Sequence, residues 1–299
     1  MLLYHHVADS ISPFVRMLGI TIAANDFKEH IRFLTSQHTV VPFSRLPEHA
    51  DDAAAVVITF DDGFHSFKTT ALPILEEYNC PAKLYIVGCN IDEQANWLDR
   101  LSFLFSSLDA STMADLADQC LISRSSQTST RRRRNPPQTS VSDFIERFDF
   151  ERTPQTIKTL FGQVFREPPG RLYLDEEELR SIAMHPLVEL GSHTRSHYPL
   201  PCLSPEQLHK EVVVNHTDLQ RRIGPRVQGF CVPFGYRSHL TQDVVAAVRQ
   251  IDGEVLSAYG GRVGDSTVFG MREIRRVGVW GNLGTLWYRM RYGVDGNEA

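Results

Sequence analysis

The sequence predicts an α/β fold, a distorted barrel of about seven parallel strands wrapped by helices, with a helical insertion. Three observations predict it. Short apolar runs alternate with amphipathic stretches, which suits parallel strands joined by helical crossovers. The strongest run, AAAVVITF at 53–60, is continuous and β-branched, as a strand buried on both faces must be. Seven or eight such strands in one domain suit a closed barrel better than an open sheet.

Taken in order, 2–7 is the first strand, and 25–35 follows as a helix with Asn25 as cap and Phe27, Ile31 and Leu34 on one face. The run at 53–60 ends at Asp61-Asp62-Gly63. Residues 66–78 read as a helix that Pro73 would kink, and 83–87 as the next strand. Alternation pauses at 98–172, where helix-like segments flank a polar, basic, breaker-rich stretch. This is an insertion within a single domain spanning 1–299, carrying an exposed loop. Alternation then resumes: helix 175–184, strand 187–193, a long helix 205–223 capped by Ser204, strand 228–232, helix 241–250, strands 254–259 and 274–279, and helix 283–292.

Composition narrows the class. Of 299 residues, 42% are hydrophobic and 22% charged, which excludes a disordered chain. The net charge of −5 gives no drive toward nucleic acid. Five cysteines at irregular spacing with no Cys-x-x-Cys argue against a disulfide framework or a Cys-rich zinc site, and for reduced thiols. No apolar run is long enough for a transmembrane segment, and MLLYHHV has no basic leader, so a cytoplasmic location is expected.

Three clusters at strand ends carry potential chemistry. The first is TFDDGF, where adjacent carboxylates Asp61 and Asp62 would repel unless a cation lies between them or one is protonated. The alternative is an ordinary solvated Asp-Gly turn. The second is GSHTRSHYPL: two neutral imidazoles, His193 and His197, make good zinc ligands, and Asp62 could complete a set of three. Three ligands leave a position open for water and substrate; the alternative is a chance spacing among 12 histidines. The third is the opening LLYHHV, where His5 and His6 face opposite sides of a strand and one could act as a general acid.

Together these clusters resemble the NodB-type polysaccharide deacetylases, carbohydrate esterase family four. TFDDG, HTRSH and VPFG fall in the family's order, and ALPILEEYNCPAKLYIVG and LSPEQL extend the likeness over nearly the whole chain except 98–172. The opening Tyr4-His5 is similar to the exopolysaccharide-biosynthesis branch acting on glycans such as poly-N-acetylglucosamine, in which the motif with the catalytic His is permuted to the N-terminus. The resemblance implies that Asp62, His193 and His197 bind a divalent metal, most often zinc. It implies that Asp61 is the base, His5 the acid, and the turn Pro233, Phe234 and Gly235 part of the substrate and oxyanion site. The family commonly has an Arg two residues before that Pro, orienting the base. Here the position is Cys231, and Arg275 or Arg276 is the candidate replacement. The family's aspartate-tryptophan motif is absent.

The implied activity is metal-dependent hydrolysis of the N-acetyl group of an amino sugar in a cell-surface glycan or its precursor. The alternatives are deformylation of a formamido sugar, and a noncatalytic glycan-binding relative, which Cys231 favours and retention of both base and acid disfavours. The expected partner is an N-acylated amino-sugar substrate, with no nucleic acid. The Arg131–Arg134 run reads as a solvated loop, or as a contact for a peripheral membrane surface or lipid-linked carrier. Trp97, Trp280 and Trp287 read as core in preference to sugar platforms, with Trp280, after the last strand, the best stacking candidate of the three.

Overall fold

The structure is a computed structural model describing residues 1–49, 52, 54–93, 95–122, 139–165, 170–251, 254–257, 267–279 and 281–292. The Arg131–Arg134 run and Trp280 lie outside the described residues. Two compact units are present. One comprises Met1–Ser10, Ile20–Gln94 and Gly170–Ala299, the other Ile11–Gly19 and Ala95–Pro169.

The first unit holds β1 (Leu2–Tyr4), β2 (Ile58–Phe60), β3 (Ala82–Ile86), β4 (Val188–Ser192), β5 (Val227–Phe230), β6 (Glu254–Ser257), β7 (Met271–Arg275) and β8 (Val277–Gly278). Six of them form one all-parallel sheet in the order β8-β1-β2-β3-β4-β5. β6 pairs in parallel with β7, which also takes the short strand Thr267–Val268 antiparallel. β7 runs into β8 with a break at Arg276, so one stretch of chain belongs to both sheets, and β6 lies beside β5. Seven parallel strand positions result, as in a distorted (β/α) barrel.

The period-2 alternation of strand side chains divides two apolar layers. Ile58, Phe60, Leu84, Ile86 and Leu190 join the outer core with Phe27, Ile31 and Leu34 of the helix Ala24–Gln37. Val57, Tyr85, Cys231 and Ile274 form a smaller inner cluster with Val41 and Leu46. Extending the inner alternation from Val57 through Thr59 brings Asp61 to the inside at the C-terminal end of β2. This is the end where barrels of this kind place their reactive residues.

The helices differ locally from expectation. The first begins at Ala24, and Asn25 lies inside it; Ala24 N–H instead donates to Asp9 Oδ1 at 2.9 Å. Pro73 produces no break. It sits in the first turn of the helix Leu72–Glu77, where its missing N–H costs nothing, directly after a wide turn at Phe67–Ala71. Residues Pro205–Ile223 are helical throughout, with a reciprocal Ser204–Gln207 cap and a second wide turn at Lys210–Val214.

The second unit is helical: Pro13–Arg16, Trp97–Ser107, Ala110–Cys120, Val141–Glu146 and Thr153–Val164. Asn96, Asp109 and Ser140 cap three of these helices. Phe14, Phe103, Phe161 and Phe165 pack ring against ring, and Ser102 Oγ bonds the Pro13 carbonyl, so Ile11–Gly19 belongs to this unit although it precedes it by some 80 residues of chain. Trp97 is buried against Phe148, but Trp287 is 48% exposed and not core. None of the described helices is long and apolar enough to cross a membrane.

Candidate active site

Asp61, Asp62, His193 and His197 meet at the mouths of β2 and β4 and are all buried. His193 continues the inner alternation of β4. Its Nε2 lies 3.6 Å from Asp61 Oδ2 and 3.7 Å from Asp62 Oδ1, and His197 Nε2 lies 3.4 Å from the same Asp62 oxygen. Backbone strain accompanies this convergence. Asp62, Thr194, His197 and Phe234 all have left-handed φ, from 58° to 75°, which non-glycine residues seldom adopt. The Asp62 carbonyl is held by Asn90 Nδ2 at 3.1 Å, and Gly63, at φ 78°, completes the turn.

The donor set fits a divalent metal. One ligand atom each from Asp62, His193 and His197 can lie within 4.8 Å of the others. Burial lowers the pKa of both imidazoles, so they are neutral near pH 7 and keep a lone pair. His193 Nδ1 is 2.7 Å from the Cys231 carbonyl, which can only accept; the ring proton is therefore on Nδ1 and the lone pair on Nε2, toward the carboxylates.

Of the two candidate arginines, Arg276 stands against Asp61. It is fully buried and grips the carboxylate with both nitrogens, Nη1 to Oδ1 at 2.7 Å and Nη2 to Oδ2 at 2.8 Å. It also donates to Thr59 Oγ1 and to Cys231 Sγ at 2.7 Å. Arg275 instead lies 3.7 Å from Glu273. Burial by itself would raise the pKa of Asp61, but Arg276 and His193 together hold it well below the usual carboxylate range. Burial also pushes the Cys231 thiol well up, so Arg276 meets a neutral sulfur.

The packing beneath Arg276 explains a glycine. The guanidinium lies 5.7 Å from the Tyr85 ring, and a Cβ on Gly191, the parallel partner of Tyr85, would come within 2.5 Å of that ring.

His5 and His6 diverge as strand geometry requires. His6 is buried with Nδ1 3.2 Å from Thr21 Oγ1 and its ring edge-on to Phe64. His5 is half-buried and feels the charges of Asp61, Arg276 and His193; burial outweighs the pull of Asp61 and sets its pKa at about 4. In the Pro233–Gly235 turn, Gly235 N–H donates to the Pro233 carbonyl at 2.6 Å, and the Phe234 ring lies 4.8 Å from His197.

The polysaccharide deacetylase family model matches residues 48–251, more than half the chain. That span contains Asp61 to Gly235 but neither His5 nor Arg276. No curated protein matches. Among solved structures, the polysaccharide deacetylase BC0361 of Bacillus cereus is similar at 13% identity and TM-score 0.58, over 97% of this chain and 67% of that one. The de-N-acetylase of Aggregatibacter actinomycetemcomitans is similar at 17% identity and TM-score 0.56, over 96% and 97%. The BpsB deacetylase domain of Bordetella bronchiseptica is similar at 16% identity and TM-score 0.52, over 94% and 96%. At these identities the likeness establishes a shared fold. With the sequence match over the strand-mouth residues, it makes the chain a member of the polysaccharide deacetylase family, hydrolases that remove acetyl groups from glycans.

Proposed function

We propose that this protein hydrolyses the N-acetyl group of an amino sugar in a cell-surface glycan or its precursor, using a divalent metal, zinc, held by Asp62, His193 and His197. The observation that carries the reading is the fork of Arg276 on Asp61 beside that ligand set. It keeps a carboxylate ionised, aimed and unencumbered next to three neutral or anionic donors. The metal supplies Lewis-acid polarisation of the acetyl carbonyl and lowers the pKa of water.

Asp61 accepts the proton of the attacking water through Oδ2, the oxygen nearer His193. Phe234 N–H donates to the developing oxyanion. His5 is neutral at rest, so the proton it gives the leaving amine is one drawn from the water by way of Asp61. Proton balance closes: one leaves the water, one arrives on the amine. Cys231 is the feature that favours a noncatalytic relative; the fork of Arg276 on Asp61, from between β7 and β8, supports the catalytic reading instead.

Acetate release from N-acetylglucosamine oligomers tests the reading. Activity should vanish with a strong chelator and return with zinc, and Ala at His193 or His197 should weaken zinc binding and abolish turnover. Full activity in chelator would overturn it. The acid is tested separately: His5→Ala should keep zinc and fold yet lose roughly 10²–10⁴-fold in deacetylation, with activated esters, whose leaving groups need no proton, much less affected. His6→Ala should stay active. Normal deacetylation by His5→Ala would remove His5 from the mechanism.

A further inference from the structure

We infer that Glu211, on the helical run Pro205–Ile223, is the positioning residue that aims His197 at Asp62. The inference rests on the metal reading above. Glu211 is 6% exposed, a degree of burial that carboxylates seldom tolerate without specific partners. Its partners are two successive amides of the segment between the histidines. The Glu211 carbonyl accepts from Arg195 N–H at 3.1 Å, and Oε2 accepts from Ser196 N–H at 2.8 Å. One residue thus grips the backbone on the N-terminal side of His197 at two points.

The helix is built for this grip. Glu211 lies in the wide turn Lys210–Val214, where Asn215 N–H reaches back to the Lys210 carbonyl, five residues away. Such turns interrupt the ordinary i→i+4 ladder and re-aim the groups within them, often at functional sites. One turn further on, Asn215 Nδ2 donates to Ser192 Oγ at 3.1 Å. Its Oδ1 occupies the space a Cβ on Gly88 would take, at 1.9 Å. Gly88 and Cys89 in turn donate to the carbonyls of Thr194 and Arg195 at 2.9 and 2.7 Å.

The segment needs such fastening. Thr194 has φ 65°, an outlier for a β-branched residue, and His197 has φ 58°. Strained backbone persists only where its surroundings over-determine it. Inside the segment, His197 N–H donates to Thr194 Oγ1 at 3.1 Å. Without the Glu211 carboxylate, Ser196 relaxes and the His197 ring loses its heading toward Asp62.

Zinc affinity, measured by competition with a chromophoric chelator, tests the inference. Glu211→Ala should weaken zinc binding at least about tenfold, in line with residues that orient metal ligands. Glu211→Gln, whose amide oxygen still accepts from Ser196 N–H, should stay near wild type. In a His197→Ala background, adding Glu211→Ala should cost nothing more, because the ligand it aims is gone. Should Glu211→Ala fail to fold by circular dichroism, Glu211→Asp, one methylene too short to reach, carries the same expectation. Wild-type affinity in the Ala or Asp variant, or an equal loss in both backgrounds, would overturn the role. A wild-type protein that binds neither zinc, cobalt nor manganese would overturn the metal reading itself, and this inference with it.

Discussion

Asp61→Asn lowers turnover roughly 10²–10⁴-fold while zinc binding survives; this is the expected result if Asp61 is the base. General acid–base catalysis contributes about that much. The amide is nearly isosteric and can still accept one hydrogen bond from Arg276, but it cannot take a proton from water. Asp62, not Asp61, lies 3.4 Å from His197 Nε2, so the proposed ligand set is left whole. The assay is acetate release at saturating zinc, with affinity measured in parallel by chelator competition. A variant with near-native turnover would assign the base elsewhere. A variant that loses zinc would show that Asp61 is a ligand instead.

Arg276→Met should destabilise the fold by about 3–5 kcal/mol, the usual consequence of removing one partner of a buried ion pair. Arg276 and Asp61 are both buried, and each is matched mainly by the other. Without the guanidinium, the carboxylate meets the cost of desolvation with the neutral groups His193, Cys231 and His5 about it. Asp61→Asn combined with Arg276→Met should recover much of the loss, because no unmatched charge remains. Arg276→Lys should fall between, since one ammonium cannot fork onto two oxygens. Urea unfolding of the wild type, Asp61→Asn, Arg276→Met and the double variant gives the coupling between the residues. Additive losses would mean that the pair contributes nothing beyond its separate contacts.

The arrangement puts the guanidinium that forks onto Asp61 between β7 and β8, far from the position at which the resemblance implies an arginine. Cys231 occupies that position, and its thiol, pushed toward the neutral form, accepts from Arg276 Nη2 at 2.7 Å and lies 3.6 Å from Asp61 Oδ2 as a donor. A small neutral side chain there leaves room for a guanidinium arriving from the stretch between β7 and β8. Two arginines side by side at 231 and 276 would bury a second positive charge that a single Asp61 could not match.

Much was legible in the sequence because it depends on local pattern. Strand and helix alternation follows from apolar periodicity, and the strand-mouth position of Asp61-Asp62 and of His193 follows from where each apolar run stops. The opposite headings of His5 and His6 follow from the two-residue repeat of a strand. Other features depend on groups distant along the chain. Nothing local distinguishes Arg275 from Arg276. The alternation that includes Ile274 would have paired Arg276 with the inner layer, but only the closed sheet shows that this layer faces Asp61, 215 residues earlier. The wide turns at Phe67–Ala71 and Lys210–Val214 read as plain helix, because hydrophobic spacing does not report which carbonyl an amide reaches. Nothing local assigns Ile11–Gly19 to the helical unit, since the partners of Phe14 are phenylalanines more than 80 residues away. The sequence by itself determined the fold class and the identity of the carboxylates and imidazoles, through short-range periodicity and strand ends. The tertiary structure alone decided that Arg276, not Arg275, forks onto Asp61 and that Glu211 holds the Ser196 amide, because both contacts join groups on different elements that local periodicity does not bring together.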